Sequence, residues 1–436
     1  MLLQSQPGVT FATGGASSGL VITVDSTTQY QQMDGFGGSL TDSSAWLIWN
    51  NLSASQQTTL MQQLFSPSTG IGISFLRQPM GATDFSASGN YSYDDMPAGQ
   101  TDPNLTHFAV THDAAYIIPL VKQALSINPN LKVVALPWSP PAWMKSTGTM
   151  NGGNMNTAYF PTLAQYFVDF VREYQQQGIP IYAISVQNEP LYSTTGYPSE
   201  YLAASDESTF IASNLGPALS TAGLGSVKIF AYEHNWDNTD YPESVLGSSA
   251  SQYVAGSSFH CYAGDPSAQS SVQAAFPAKD MWFTECSGIT STTFSGDLVW
   301  NAEHLLIGAT RNWARSVSLW NLALDQNSGP KNGTCSNCRG VVTIDDSVSP
   351  AKVTFNVEYY ILGHLGKFVV PGAHRISSNT FGAGSIEDVA FQNPDGSIAL
   401  VVLNSAGNAG TFSVSCKGQS FNYTLPGGAL VTFNWK

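Results

Sequence analysis

Eight short apolar runs, separated by stretches with helical periodicity, limit what this chain can fold into more than any other feature. They occupy residues 33–38, 73–77, 132–136, 182–185, 227–231, 257–262, 281–285 and 317–321. Between them, 113–126 and 161–177 read as helices, the second with Phe167, Phe170, Val171 and Tyr174 on one face. Thr41 and Asp42 can cap a helix that turns Ala45, Trp46 and Trp49 to one side. Strand and helix alternating eight times over about 310 residues is the count of a (β/α)8 TIM barrel. The barrel is assigned to residues 33–365. After residue 370 the rhythm changes to closely spaced strands at 389–391, 398–403, 411–414 and 429–433. Turn residues such as Asn393-Pro394-Asp395-Gly396 separate them. This predicts an attached small β-sandwich from residues 366–436 together with 1–32. The N-terminal stretch reads as strands at 9–11 and 20–24, with a turn at Gly14-Gly15, and lacks other partners.

Barrels keep their chemistry at the C-terminal tips of their strands. The fourth run leads into Gln187-Asn188-Glu189-Pro190, where proline cannot continue a ladder. Glu189 therefore sits at a tip. The seventh run ends in Glu285, repeating the pattern of apolar strand then carboxylate. Two such carboxylates are what glycoside hydrolysis needs. Other tips carry residues suited to sugars: Asp84 after the second strand, Trp138 at the third, Asn188 at the fourth. His260 and Tyr262 lie at the sixth, and Trp320 and Asn321 at the eighth. Sugar C–H faces lie on aromatic rings, while hydroxyls need donors and acceptors. A solvated loop Glu and core tryptophans are the bland alternative, and recurrence at one end of a barrel weighs against it. Gly35-Phe36-Gly37-Gly38 lacks the lysine of a phosphate loop and reads as close backbone approach. Gly15-Ala16-Ser17-Ser18-Gly19 matches G-x-S-x-G but falls in a turn between two predicted strands, not at a strand-to-helix elbow, so it does not support a serine hydrolase. Asp84, His260 and Glu285 lack the spacing of a metal motif, so no metal and no cofactor is expected.

Charged residues make up only 11% of the chain, and the net charge is −14. That balance argues against nucleic acid, whose phosphates want Lys and Arg. No apolar run is long enough for a transmembrane segment. The start, Met1-Leu2-Leu3-Gln4, lacks the apolar core of a signal peptide. The low-charge, Ser/Thr/Asn-rich composition suits a secreted or extracytoplasmic protein whose signal has been removed. Five cysteines leave at least one unpaired. Cys335 and Cys338 are expected to close a small loop as a disulfide, with Cys261, Cys286 and Cys416 reduced. Sequons at Asn51, Asn90, Asn104, Asn332 and Asn422 arise readily by chance in such a chain.

At these tips the chain resembles family 30 of the glycoside hydrolases, which includes acid β-glucosidase (glucocerebrosidase). The resemblance rests on Gly35-Phe36-Gly37-Gly38 with Thr41-Asp42, Arg77-Gln78-Pro79-Met80, and Asp84-Phe85-Ser86. It continues through Pro137-Trp138-Ser139-Pro140-Pro141-Ala142-Trp143-Met144-Lys145, Asn188-Glu189-Pro190, Glu285-Cys286, and Trp320-Asn321-Leu322-Ala323-Leu324. Leu362-Gly363-His364-Leu365-Gly366-Lys367-Phe368 matches near the barrel's end. The stretches keep their order over most of the chain. The resemblance implies a barrel with a β-sandwich and retaining hydrolysis of β-glycosides, most of all β-glucosides. It makes Glu189 the acid/base and Glu285 the nucleophile. Asp84, Trp138, Asn188 and Trp320 would hold the reacting sugar, with Tyr262 beside the nucleophile and Arg77 beneath the site. Glu189 would need its pKa raised, which burial and the second carboxylate would supply. The loop 325–339 and the loop after Glu189, with Tyr192 and Tyr197, depart from acid β-glucosidase, so the aglycone does not carry over. A glucosylceramidase, a β-1,6-glucanase, a β-xylosidase and a β-fucosidase all stay open. So does a non-catalytic carbohydrate-binding barrel, although a binder needs neither glutamate.

Overall fold

The computed structural model describes residues 2–14 and 19–436. Gly15, where half of the predicted N-terminal turn falls, and Met1 lie outside them. Eight parallel strands close into a barrel: Gly35–Ser39, Phe75–Pro79, Lys132–Leu136, Ile181–Ser185, Lys228–Asn235, Val254–His260, Asp280–Glu285 and Ala314–Asn321. The eighth pairs with the first, so no edge is left. Gly37 is where that first strand comes closest to its neighbour, and a Cβ there would overlap the Phe75 carbonyl.

Helices cover the outside. Thr41 caps the helix Asp42–Asn50 by accepting from the Ser44 amide, and the helix buries Ala45, Leu47 and Ile48. Trp49, expected on the same face as Ala45, is exposed instead. The helix expected over 113–126 is two pieces, Thr111–Ala114 and Ile117–Ile127. The helix Phe160–Gln176 buries Phe167, Phe170, Val171 and Tyr174 along one stripe.

Period-two alternation decides what fills the barrel. Phe75, Val134, Ala183, Phe230 and Trp282 form one buried layer inside it, with Phe230 stacked on Trp282 at 3.8 Å. Two residues further along their strands come Arg77, Leu136, Ser185 and Thr284, which point the same way and build the floor of the site.

The long strand Val21–Gln32 lies between Gly410–Cys416 and His374–Ser378 in a seven-stranded sheet. The two outermost strands of that sheet, Gln419–Leu425 and Ala429–Trp435, meet through Phe421 and Phe433 at 5.0 Å. The sheet therefore folds over its own core of Ile22, Val24, Ile376, Leu400, Val402 and Phe412 as a β-sandwich. Residues 9–11, expected as a strand, form none. The bridge Ala12–Ser420 ties that segment to the sheet, and Phe11 packs on Phe421 at 4.9 Å and Trp435 at 5.4 Å.

Candidate active site

Above the floor, a cleft of about 890 Å³ opens at the C-terminal end of the barrel. Asp84, Trp138, Asn188, Glu189, Tyr262, Glu285 and Trp320 line it. Arg77 and His260 lie beneath, both fully buried. Trp143 and Asn321, also at strand tips, do not reach the cleft. Trp143 donates to the Asp94 carbonyl, and Asn321 accepts from Thr41.

Arg77 ties the site together. Its Nη1 donates to Glu285 Oε2 at 2.6 Å, and its Nη2 to Asn188 Oδ1 at 2.7 Å and Glu233 Oε2 at 3.2 Å. The guanidinium also sits 4.9 Å from the Trp138 ring and 5.4 Å from Trp320. Those two indoles stack on each other at 4.8 Å. Burial works against the Arg77 charge, but Glu285 and Glu233 hold its pKa above the ordinary arginine value. With its Oδ1 taken by Arg77, Asn188 presents its amide hydrogens. Tyr262 donates to the other oxygen of Glu285 at 2.8 Å.

The sequence reading missed Glu233. It is fully buried and accepts from Ser185 at 2.7 Å and Thr284 at 2.8 Å, besides Arg77. Alternation from Phe230 should turn Tyr232 inward and Glu233 outward. The ladder to the next strand slips between Tyr232 and His234, and both Tyr232 and Glu233 adopt left-handed φ, 79° and 55°. The bulge rotates Glu233 into the site. The signal available was Glu233-His234-Asn235 following an apolar run, the same pattern as at the other tips.

His260 bridges two carboxylates, with Nδ1 3.1 Å from Glu189 Oε1 and Nε2 3.0 Å from Glu233 Oε2. Burial alone would make the ring less basic. The charge of Glu285 and the bonds to Glu189 and Glu233 outweigh burial and lift its pKa to about 9. The protonated imidazole then answers the question of Glu189. Burial pushes that carboxyl up, as expected from sequence, but the hydrogen bond and charge of His260 win and hold it below the usual range. The sequence expectation of a raised value is therefore overturned for the protein alone. Glu189 also sits at φ 46°, a left-handed conformation uncommon for a non-glycine residue, while its amide donates to the Glu233 carbonyl. Asp84 goes the other way. Burial first, then the charges of Glu285 and Glu189, hold it well above the carboxylate range. Its Oδ1 is buried without a partner among the described residues.

Oxygens of Glu189 and Glu285 and a nitrogen of His260 lie within 4.8 Å of one another. Such a trio could hold a cation, but Arg77 already brings a positive charge against Glu285. Asp94, Asp102 and His107 make a second trio away from the cleft.

One cysteine expectation needs correcting. Cys261 and Cys286 form a disulfide, with Cα atoms 5.4 Å apart. The sixth and seventh strands pair His260 with Glu285, which sets the next residue of each side by side. Register between distant strands was not readable from spacing. Cys335–Cys338 is bridged as expected, and Cys416 is free. Thiol titration of the denatured, unreduced protein is expected to find one thiol, and three would reinstate the sequence expectation. The bridge spans 25 residues. Its removal should cost about 3.5 kcal/mol by loop-closure entropy.

A family model described as the glycosyl hydrolase family 30 TIM-barrel domain matches residues 33–369. The chain belongs to glycoside hydrolase family 30. The family's β-sandwich model matches residues 372–433. Among relatives of this family 30 chain is the endo-1,6-β-D-glucanase neg1 of Aspergillus fumigatus, 35% identical over 96% of this chain and 88% of the relative. The lysosomal acid glucosylceramidase of Mus musculus is 30% identical over 96% of this chain and 84% of its own. A solved endo-β-1,6-glucanase superimposes with a TM-score of 0.89 at 32% identity, covering 98% of this chain and 95% of that one.

Proposed function

We propose that this family 30 enzyme cleaves β-1,6-glucosidic bonds within glucans, with retention of configuration. The observation that carries the mechanism is the pair Glu189 and Glu285, with one oxygen of each within 4.8 Å of the other. Retaining enzymes hold their carboxyls about 5–5.5 Å apart, against about 6.5–9.5 Å for inverting ones. The linkage is supported by the endo-1,6-β-glucanase relatives, at 35–36% identity against 30–32% for those named as glucosylceramidases.

Glu285 attacks the anomeric carbon as the glycosidic C–O bond breaks, and Glu189 gives its proton to the departing oxygen. A glucosyl ester on Glu285 results. Water then attacks the same carbon, Glu189 takes its proton, and Glu285 leaves as carboxylate. The first step needs a proton on Glu189. His260 Nδ1, 3.1 Å away, supplies one once bound sugar excludes water and raises the carboxyl's pKa. Tyr262 and Arg77 hold one oxygen of Glu285 each and fix its aim. Asn188 donates to the sugar 2-hydroxyl, and Asp84, whose Oδ1 is buried without a partner among the described residues, bonds another hydroxyl of the same ring. Trp138 and Trp320 support its apolar face.

Two disulfides fit an extracytoplasmic place of action. Among the described residues no helix is long and apolar enough to cross a membrane. The test is a product profile. Incubated with β-1,6-glucan, the enzyme should release a ladder of short oligosaccharides with β-configured new ends by proton NMR. Inactivity on the glucan alongside rapid hydrolysis of glucosylceramide would reject the linkage assignment.

A further inference from the structure

The large side chains of the cleft differ in exposure. Trp138 and Trp320 are each 3% exposed. Tyr192, Tyr262, Ile289 and Trp300 are between 37% and 47% exposed. Single exposed aromatics are ordinary on a protein surface. Trp300 differs in three ways. It lines the same cleft as both glutamates. Its indole stacks on the His304 imidazole at 4.6 Å and 13°, which braces one face of the ring. The segment that carries it is clamped.

That clamp can be followed residue by residue. Gly288–Ile289 pairs with Cys338–Arg339, next to the Cys335–Cys338 bridge. Thr293 caps the helix Phe294–Asn301 by accepting from the Gly296 amide. Arg339 donates to Asp297 at 2.5 Å and Glu358 at 2.6 Å, pinning the helix to the barrel. Immediately after Trp300 and Asn301 the chain widens into a π-helix, Ala302–Ala309, a form that concentrates at functional sites. A tryptophan held on a rigid wall, braced from behind and left half open at a cleft mouth, is a preorganised stacking surface.

The neighbours of Trp300 on the cleft wall decide what stacks there. Thr292, Thr293, Asp297 and Asn301 share that wall. An acyl chain needs a continuous apolar groove, because each polar group it covers loses water without a replacement bond. A sugar uses both kinds of surface at once, C–H faces on the indole and hydroxyls on the polar groups. We propose that Trp300 is the platform of a leaving-group subsite that binds the next glucosyl unit of an oligosaccharide. This rests on the glycosidase reading given above, and it fixes the leaving group as sugar rather than lipid.

The test compares three substrates in wild type, Trp300→Ala and Trp300→Phe. β-Glucosyl fluoride fills only the reacting-sugar position. A β-1,6-linked glucotetraose fills the leaving-group side with sugar, and octyl β-glucoside fills it with an alkyl chain. The ratio of kcat/KM for tetraose over fluoride should fall about tenfold in Trp300→Ala, mostly through KM, and recover partly in Trp300→Phe. A ratio within about twofold of wild type would overturn the subsite, and an equal fall for octyl glucoside would overturn its assignment to sugar. Tetraose binding to Glu285→Gln, with and without Trp300→Ala, is read by calorimetry alongside. Loss of binding there supports the subsite even if the wild type hydrolyses nothing, which would sink the glycosidase reading alone. Unchanged binding refutes the subsite whether or not the enzyme turns over.

Discussion

Glu285→Gly should lower turnover of β-glucosides by roughly 10⁴-fold or more, and azide should restore it with α-glucosyl azide as the product. The variant removes the attacking carboxylate but leaves Glu189 and the sugar contacts in place. A small anion can then enter from the face that Glu285 occupied and displace an activated leaving group in one step, which inverts the anomeric centre. Glu189→Ala should behave in the opposite sense. Substrates with good leaving groups need little protonation, so the glucosyl ester on Glu285 still forms, and azide attacks it from the far face to give the β-azide. General acid–base assistance contributes about 10²–10⁴-fold, so the deficit should be largest for sugar leaving groups and smallest for fluoride. Finding the two anomers exchanged between the variants would exchange the roles given to the two residues. An inverted product from the wild-type enzyme would remove the covalent intermediate altogether.

The second large effect is on stability. Arg77→Met should destabilise the fold by about 3–5 kcal/mol near neutral pH, because Glu233 and Glu285 then stay buried without their cation. Denaturant midpoints read this directly, and a loss below about 1 kcal/mol would mean that His260, Ser185 and Thr284 suffice for Glu233. The pH dependence carries a second signature. The pKa of His260 in the folded protein, about 9, lies above the ordinary value of 6.5. Its protonation therefore contributes stability that is fully present below about pH 6.5 and is lost as pH rises through about 9. Arg77 opposes that protonation. Arg77→Met should move the alkaline loss to higher pH, and His260→Gln should flatten it. An alkaline limb identical in all three proteins would show that other groups control it.

Sequence by itself determined the barrel, because its determinants are local. A five-residue apolar strand with a tip residue can be seen without knowing its neighbours, and eight of them in series leave few ways to close. Gly37 and the Thr41 cap were legible for the same reason. The carboxylates Glu189 and Glu285 were legible because a strand's end places them at the mouth whatever the register. The resemblance to family 30 added their roles and the place of Arg77.

What needed the tertiary structure was everything set by register or by the sum of fields from distant segments. Glu233 turns inward only because a bulge breaks the alternation at Tyr232 and Glu233, and no period-two reading can foresee a slip in the ladder. Cys261 and Cys286 meet because the sixth and seventh strands pair His260 with Glu285, a relation between segments 25 residues apart. The proton sits on His260 instead of Glu189 because three carboxylates drawn from three strands surround one imidazole. Trp300 carries no tip signal at all. It lies inside a helix beyond the seventh strand, on a segment that Arg339 ties to Glu358 through Asp297, and it lines the cleft. Local chemistry is written in neighbouring residues, whereas electrostatic coupling and cleft shape are pairwise properties of the folded chain, and the pairs exist only once the barrel has closed.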